Sequence, residues 1–415
     1  MVPLRRNRDF VLLQAGQGLS TLGSAASQLA YPLLVLALTH SPAKTGVVGF
    51  ANVVPYALFG LLAGVAADRW NRKRVMILMD LVRVLAMASI VTALWLHDLT
   101  FAQIAIVAFV EGTAFVFFNI AEVGALRSVV PARQLPAAAA GEQARMSAVG
   151  LVGPTAGGAL FGLGRSLPFL ADGLSYAFSI ASLLWMRAPF QETRARDTAP
   201  LRTQISEGIA WLWKSPYLRT SALIFAGNNF VFSGVFLTLV VVAKGHGLSS
   251  AAIGGLLAVV GGGSLAGSLL APRVAKLLSI RSIMIGNQWL NVLILVFVVA
   301  PSPFVLLACV IPIVLMIPSL NAVVIGYRTA ITPDHLIGRV SSVARNLALF
   351  AQPLGPLAAG LLLAAFSSRL AVLVFAAVCV VLASWTTLSP SIRNAPSLAE
   401  LDELPTPTAS PAAAG

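Results

Sequence analysis

The sequence predicts an all-α membrane protein, with twelve transmembrane helices arranged as two pseudo-symmetric six-helix bundles. Composition, the placing of charge and an internal repeat each lead there. Of 415 residues, 58% are apolar and only 10% are charged, whereas a soluble domain is nearer a quarter charged. A helix needs about 20 predominantly apolar residues to cross a hydrocarbon core ~30 Å thick. The chain is long enough for about a dozen such crossings joined by short loops.

The apolar runs place helices near residues 10–38, 45–67, 74–96, 100–124, 137–163 and 168–187, and again near 217–243, 250–273, 280–299, 302–327, 337–366 and 369–388. The first run is too long for the apolar region of a signal peptide and reads as a retained first helix. An N-terminal six-helix bundle over 1–187 and a C-terminal one over 217–390 follow, joined by a polar connector over 188–216. From Ile205 to Trp213 the connector sets apolar and aromatic residues at helical spacing, as a helix lying flat on the inner surface would. The tail over 391–415 is rich in Pro, Ala and Ser, a composition that favours disorder.

Charge tests this layout. With both termini inside, the outer loops hold only Lys44, Arg165, Lys244 and Arg369; Arg83, Arg145 and Arg345 fall within spans. Every other lysine and arginine lies on the inner side. This is the bias of multi-pass membrane proteins, and one missed helix would scramble it. The net charge of +13 therefore reports topology in a bacterial inner (plasma) membrane with cytoplasmic termini, and no nucleic-acid partner is expected. The two cysteines, Cys309 and Cys379, sit inside apolar runs and imply neither a disulfide framework nor a metal cluster.

The chain also repeats itself. Pro131, Gly153-Pro154 and Gly158 recur at one constant offset as Pro333, Gly355-Pro356 and Gly360. Arg8 through Ala15-Gly16-Gln17 matches Arg219 through Ala226-Gly227-Asn228. Two parallel six-helix repeats are how many transporters are built, with the substrate site between the halves near mid-membrane.

After the second helix the chain reads Gly64-Val-Ala-Ala-Asp68-Arg69-Trp70-Asn71-Arg72-Lys73-Arg74, and the fifth helix contains Gly153-Pro154-Thr155-Ala156-Gly157-Gly158. The first string resembles the loop signature of the major facilitator superfamily, and the second its antiporter signature. Arg6 to Phe10, Leu135 to Ala138 and Ala171 to Tyr176 are similar to the branch holding enterobactin exporters and macrolide efflux pumps. The resemblance implies the major facilitator fold. It also implies a conformational switch at Gly64, Asp68, Arg69 and Arg72, whose charges lock the halves together on the inner side. For Gly153, Pro154, Gly157 and Gly158 it implies a bend that seals the inner path and favours export. In physical terms, Gly64 offers close helix approach, Asp68 accepts charge-assisted hydrogen bonds, and Pro154 interrupts the helical ladder. In the second half the charge is lost: Gly267 is followed by Ala271-Pro272-Arg273. The glycines of the eighth helix, Gly254 to Gly267, lack the strand and the Lys-Ser/Thr of a phosphate loop and suit close helix packing instead.

An ionisable group at mid-bilayer costs roughly 2.5–3.5 kcal/mol on insertion scales and is a functional candidate. Glu111 stands about eleven residues into the fourth helix, ~16 Å at 1.5 Å per residue. It is the candidate for proton coupling or for binding a cationic group. Asp80 and Arg83 share a face three residues apart and read as a structural pair near the inner surface. Glu142 and Arg145 have the same spacing and read equally as a structural pair or with Arg145 facing an anionic substrate or Glu111. Glu122 is placed to meet Arg127, and Asp172 reads as structural. A substrate cavity is expected from Gln14, Gln17, Gln28 and Tyr31 on the first helix, Phe115 on the fourth, Arg145 on the fifth, Asn228 and Asn229 on the seventh and Asn321 on the tenth. Such a mixed apolar and amide lining suits a drug-sized amphipathic molecule.

The expected activity is secondary active efflux of an amphipathic organic compound, an antibiotic, secondary metabolite or siderophore, by proton antiport. The alternatives are a lysolipid flippase or nutrient importer of the same fold, and a non-transporting membrane sensor or scaffold. The expected protein is a monomer rather than an enzyme and needs no cofactor or metal. Its partners are a small organic molecule, protons and the lipid bilayer.

Overall fold

The computed structural model describes residues 4–188, 190 and 201–395; at scattered positions within them, Asp68, Arg69 and Arg127 included, only the backbone is described. The described residues contain helices, turns and no strand. The first half comprises α1 (Arg8–Thr39), α2 (Pro42–Arg69), α3 (Arg72–Trp95), α4 (Phe101–Val129), α5 (Leu135–Leu163) and α6 (Leu167–Trp185). The connector forms α7 (Leu201–Lys214). The second half comprises α8 (Pro216–Gly245), α9 (Ser250–Leu277), α10 (Ile280–Asn291), α11 (Val296–Val299), α12 (Pro303–Ile331), α13 (Asp334–Phe350), α14 (Leu354–Ala365), α15 (Ser368–Leu388) and a last turn, α16 (Pro390–Arg393). Among the described residues, 11 segments are long and apolar enough to cross a membrane; α10 with α11 makes one of them, and α13 with α14 another. The 28-residue α2 packs against α4 and α14 and supplies the twelfth crossing.

Side-chain caps start many of these helices within short loops. Asn7, Asn71, Thr100, Ser215, Ser249, Ser279 and Ser367 each accept the backbone N–H of the residue three further on. Each cap satisfies one of the donors that a helix N-terminus leaves open.

The apolar packing shows how the halves meet. Away from the basic loops, one continuous core joins both halves, with Leu34, Ile104 and Phe169 in the same cluster as Val240, Ile253 and Phe375. At the basic end the core divides. Leu13, Met76, Phe118 and Leu183 form one cluster in the first half, and Tyr217, Leu320, Tyr327 and Val340 form another in the second. The molecule is thus closed at one end and parted at the basic end.

Glycines make the closed seams. A Cβ at Gly158 would collide with the Ser250 carbonyl, one at Gly254 with the Pro154 carbonyl, and one at Gly261 with the Gly150 carbonyl, so α5 and α9 touch backbone to backbone. Across the molecule, Gly46 meets Gly360 of α14 and Gly49 meets Pro356. Small residues permit this approach in a bilayer, where packing replaces the hydrophobic effect between helices.

Three expectations are corrected. Gly64 does not serve close packing, because nothing lies within 4 Å of where its Cβ would stand; on α2 that role falls to Gly46, Gly49 and Gly60. Pro154 removes one donor from the ladder, but α5 runs on through it as one helix. A break falls in the other half, at 351–353 between α13 and α14, beside Pro353 and Pro356. Two prolines in close succession remove donors and crowd the preceding turn, and α8 satisfies the carbonyls they release. Asn229 Nδ2 donates to Ala348 O over 3.0 Å, and Ser233 Oγ donates to Gln352 O over 2.8 Å. The expected helix 280–299 is likewise interrupted, by a 3-10 turn over Val292–Leu295.

The connector helix α7 packs on α13 and α8. Leu212 is fully buried, Gly208 lies 3.0 Å from the Arg339 carbonyl (measured to the Cβ it lacks), and Glu207 pairs with Arg339. Ile209 and Trp213, one turn apart, are exposed on its other face.

Candidate functional site: a buried charge centre beside a path open at the basic end

Four first-half helices converge on Arg83, whose side chain is only 2% exposed. It lies about eleven residues into α3, ~16 Å from the basic end at 1.5 Å per residue. The expected pair with Asp80 forms, at 3.4 Å, but deep in the bundle rather than near the inner surface. Arg83 also donates to Glu111 Oε1 of α4 over 3.2 Å and to Ser24 Oγ of α1 over 3.1 Å. Its guanidinium carbon stands 3.9 Å from the Tyr176 ring centroid, with Phe115 at 5.5 Å. Aromatic faces hold a cation in this way, and more strongly where water is excluded.

The network continues on both sides. Tyr176 OH donates to Asp172 Oδ2 over 3.1 Å, and Ser27 Oγ donates to the same oxygen over 2.5 Å. Asn52 Nδ2 of α2 donates to Glu111 Oε2 over 2.6 Å. One guanidinium thus serves three carboxyl groups, Asp80, Glu111 and Asp172, two of them directly and the third through the Tyr176 ring and hydroxyl. Asp80 and Asp172 are fully buried, while Glu111 keeps 8% of its surface exposed. Of the three carboxyl groups it is the least completely buried.

Nearer the basic end lies a second cluster. Arg145 of α5 is 3.1 Å from Glu122 of α4 and 3.7 Å from Glu142 on its own helix. Of the roles the sequence allowed Arg145, the structure shows the structural one, with Glu142 and, in addition, Glu122; it does not meet Glu111. The Arg127 side chain, the expected partner of Glu122, lies outside the described residues.

The expected cavity residues divide. Gln28 is exposed; Gln14, Phe115, Asn228 and Asn321 are half-buried. Gln17 is only 2% exposed and donates to Ser179 Oγ over 3.4 Å, so it joins α1 to α6 and does not face the cavity. Tyr31 is buried against Phe169, edge to face at 5.2 Å, and is core. Asn229 is committed to Phe225 O and Ala348 O, the second of these at the α13–α14 break.

The profile of the Major Facilitator Superfamily matches residues 15–311. The chain belongs to that superfamily. Among its relatives, the multidrug efflux pump Tap of Mycolicibacterium fortuitum is 26% identical over 368 residues, covering 85% of this chain and 87% of the pump. Macrolide efflux protein A of Streptococcus pyogenes is 26% identical over 225 residues, 54% of this chain and 55% of that protein. A bacterial homologue of the human lysosomal transporter Spinster, solved inward-facing and unoccupied, superposes with a TM-score of 0.74 at 15% identity, over 94% of this chain and 98% of that one. A D-xylose–proton symporter superposes at 0.70 and 13% identity, over 92% and 98%. Likeness at such identity speaks for the fold.

Within this Major Facilitator fold the two signature strings can be located. The side chains of Asp68 and Arg69 lie outside the described residues. Arg72 donates from Nη1 to the Gly124 carbonyl over 3.3 Å, and its guanidinium occupies the space a Cβ at Gly124 would take. Gly153 and Gly157 press α5 onto α1 at Ala25 and Ala26, while Gly158 and Pro154 press it onto α9. The second string therefore joins a contact within one half to a contact between halves. Arg83, Asp80 and Asp172 are members of the centre that the sequence reads as structural, and Tyr176 is one to which it gives no role. The signal for them was present as ionisable or phenolic residues inside apolar spans, but their convergence depends on how α3, α4 and α6 are rotated.

Proposed function

We propose that the protein is a secondary active efflux transporter that exports an amphipathic organic compound in exchange for protons, with the Arg83 centre as the proton-carrying element. The observation that carries this reading is the imbalance of one guanidinium against three buried carboxyl groups. An uncompensated buried ion costs several kcal/mol, so protons are the natural counter-charge. Glu111, which touches Arg83, Tyr176 and Asn52 and retains some exposure, is the entry point for them. Asp172 is the deeper store. Efflux is the activity named for the Tap and macrolide relatives at 26% identity.

Protonation of the centre would change which of Arg83's partners are charged. It would thereby bias the balance between the form seen here, parted at the basic end, and its alternate. Most of the basic residues mark that end as cytoplasmic in a bacterial inner membrane. The string at Gly64, Asp68, Arg69 and Arg72 would hold the two halves together once that end closes. Gln28, Phe115, Asn228 and Asn321 would line the cargo's path.

The test is export from an efflux-deficient bacterium and from proteoliposomes under an imposed pH gradient, comparing wild type with Glu111→Gln and Asp68→Asn. Raised resistance and lowered accumulation that a protonophore abolishes support the reading. Gradient-insensitive transport by the wild type would remove the proton from it.

A second reading has one observation in its favour. A groove of about 470 Å³, lined by Leu151, Val259, Gly262, Ile311 and Leu315, opens between α5, α9 and α12. Such an apolar opening suits entry from the bilayer, as a lysolipid-like cargo would require. Transport of a fluorescent lysolipid across proteoliposome membranes separates the two readings.

A further inference from the structure

The two halves are unequal in charge. The first half carries Asp80, Glu111, Glu122, Glu142 and Asp172 within or beside its spans, and these are the groups that hold Arg83 and Arg145. From Pro216 to Arg393 the sequence contains a single acidic residue, Asp334, at the start of α13. Arg345 nevertheless stands well inside one of that half's crossing segments, and Arg328 stands in the last turn of another, α12.

Arg345 lies about eleven residues into α13, ~16 Å deep at 1.5 Å per residue. The surroundings of α13 fix where it points. Leu336, Val340 and Ala344 face the half's own core, and Val343 faces Gly208 of α7. Asn346 meets α2 at Gly60, and the Ala348 carbonyl meets α8. The face left over lies between α8 and α2 and carries Gly338, Ser342 and Arg345, all exposed. That is the wall of the path. On α12, Asn321, Ile325 and Arg328 share one face by helical spacing.

Arg345 lies within electrostatic reach of the Arg328 guanidinium and of the Tyr56 phenol across the seam. Among the described residues neither arginine has an ion pair, and the buried Nε of Arg328 has no hydrogen-bond partner. Two like charges near one another, Arg345 mid-way along α13 and Arg328 in the last turn of α12, have no counter-charge among the described side chains. An arginine fork matches a carboxylate or phosphate by two parallel hydrogen bonds.

We propose that the wall formed by α12 and α13 is an anion-binding site in which Arg345, supported by Arg328, takes the carboxylate or phosphate group of the transported amphipathic molecule. Deepening the efflux reading, the inference rests on it for the word "transported". The first half then handles protons and the second half the anionic end of the cargo, with Tyr56 and Asn346 at the seam between them.

The test uses Ser342→Cys, one turn from Arg345 on the same face, in the full chain reconstituted in nanodiscs. Cys309 and Cys379 are both buried, so the wild-type chain gives the labelling blank. The anionic sulfonatoethyl methanethiosulfonate should outpace its cationic trimethylammonioethyl counterpart by roughly fivefold to tenfold relative to free cysteine, the scale of a nearby charge in a partly wet site. Adding Arg345→Gln should abolish that preference, and Arg345→Lys should keep it.

Dodecanoate and dodecyl phosphate should then protect Ser342→Cys from neutral methyl methanethiosulfonate, whereas dodecyltrimethylammonium should not. Equal rates for the two charged reagents, or equal protection by the cationic amphipath, would overturn the site. Protection in phosphatidylglycerol nanodiscs with no amphipath added, absent from phosphatidylcholine nanodiscs, would assign the anion to a bilayer lipid and overturn its assignment to cargo. No gradient is imposed in this assay. The site can therefore fail while proton-driven efflux stands, and efflux can fail while the site stands.

Discussion

Arg83 and Glu111 meet at 3.2 Å and tie α3 to α4 at mid-depth, and every other member of the buried centre is placed by reference to that pair. Arg83→Leu would leave the centre's carboxyl groups without their cation. Removing one partner of a buried pair costs about 3–5 kcal/mol. The expected outcome is a sharply lower yield of folded protein and a lower melting temperature in detergent. Arg83→Lys should recover part of the loss, since it restores charge without the fork.

Glu111→Gln should behave differently. A glutamine oxygen can still accept the Arg83 hydrogen bond, and its NH2 can donate to Asn52 if that amide turns over, so the fold should hold with at most a modest loss of thermal stability. Under the proposed function, flux driven by a substrate gradient should persist while flux driven by a pH gradient alone is lost. The measurement is counterflow beside gradient-driven uptake in the same proteoliposomes. Wild-type pH response in Glu111→Gln would move the coupling site elsewhere.

Gly158→Val introduces a side chain where the Ser250 carbonyl already sits. It should disfavour the form closed at the end away from the basic loops. Labelling of a cysteine at position 342, on the face that opens at the basic end, should fall severalfold, while a cysteine on the opposite end of α9 should gain reactivity. Unchanged labelling at both ends would mean that the α5–α9 seam yields without cost.

Asn229→Leu removes the side-chain donor to the Ala348 carbonyl at the α13–α14 break, and Ser233→Ala leaves the Gln352 carbonyl with only the Gly355 N–H. An unsatisfied buried acceptor costs about 1–3 kcal/mol. Both variants should melt earlier than wild type, and the double variant earlier still. Substitutions at Asn228, one residue away, should affect transport rather than melting.

Much of the fold could be read directly from the sequence, because crossing a bilayer imposes a period, a length and a charge bias that few other structures share. The spans, the connector helix and the basic end all follow from those constraints. The site was harder to read for a stated reason. A mid-span carboxyl such as Glu111 is visible in sequence, but which neighbour it touches depends on the rotation of α3 and α6 about their axes. Hence the sequence pairs Arg83 with Asp80 alone and leaves Asp172 as a separate structural residue, although the structure joins them through Tyr176. Asn229 illustrates the same limit from the other side, since an amide facing a cavity and an amide mending a broken helix have identical local sequence. Gly-Pro pairs are equally ambiguous: α5 absorbs Pro154 without a break, whereas the prolines at 353 and 356 divide α13 from α14.

The division between α13 and α14 bears on how the protein enters the membrane in the first place. Arg339 and Arg345 both lie on α13, and an arginine at the centre of a nascent span opposes insertion by roughly 2.5–3.5 kcal/mol on the translocon scale. The strongly apolar α14 follows within the same crossing. During synthesis α14 would supply the driving force, and α13 would be drawn in behind it once α8 is present to offer Asn229 and Ser233. The order of assembly is therefore built into this half: α8 must be in place before the eleventh crossing can settle, and a chain interrupted between them would stall with its arginines at the cytoplasmic surface.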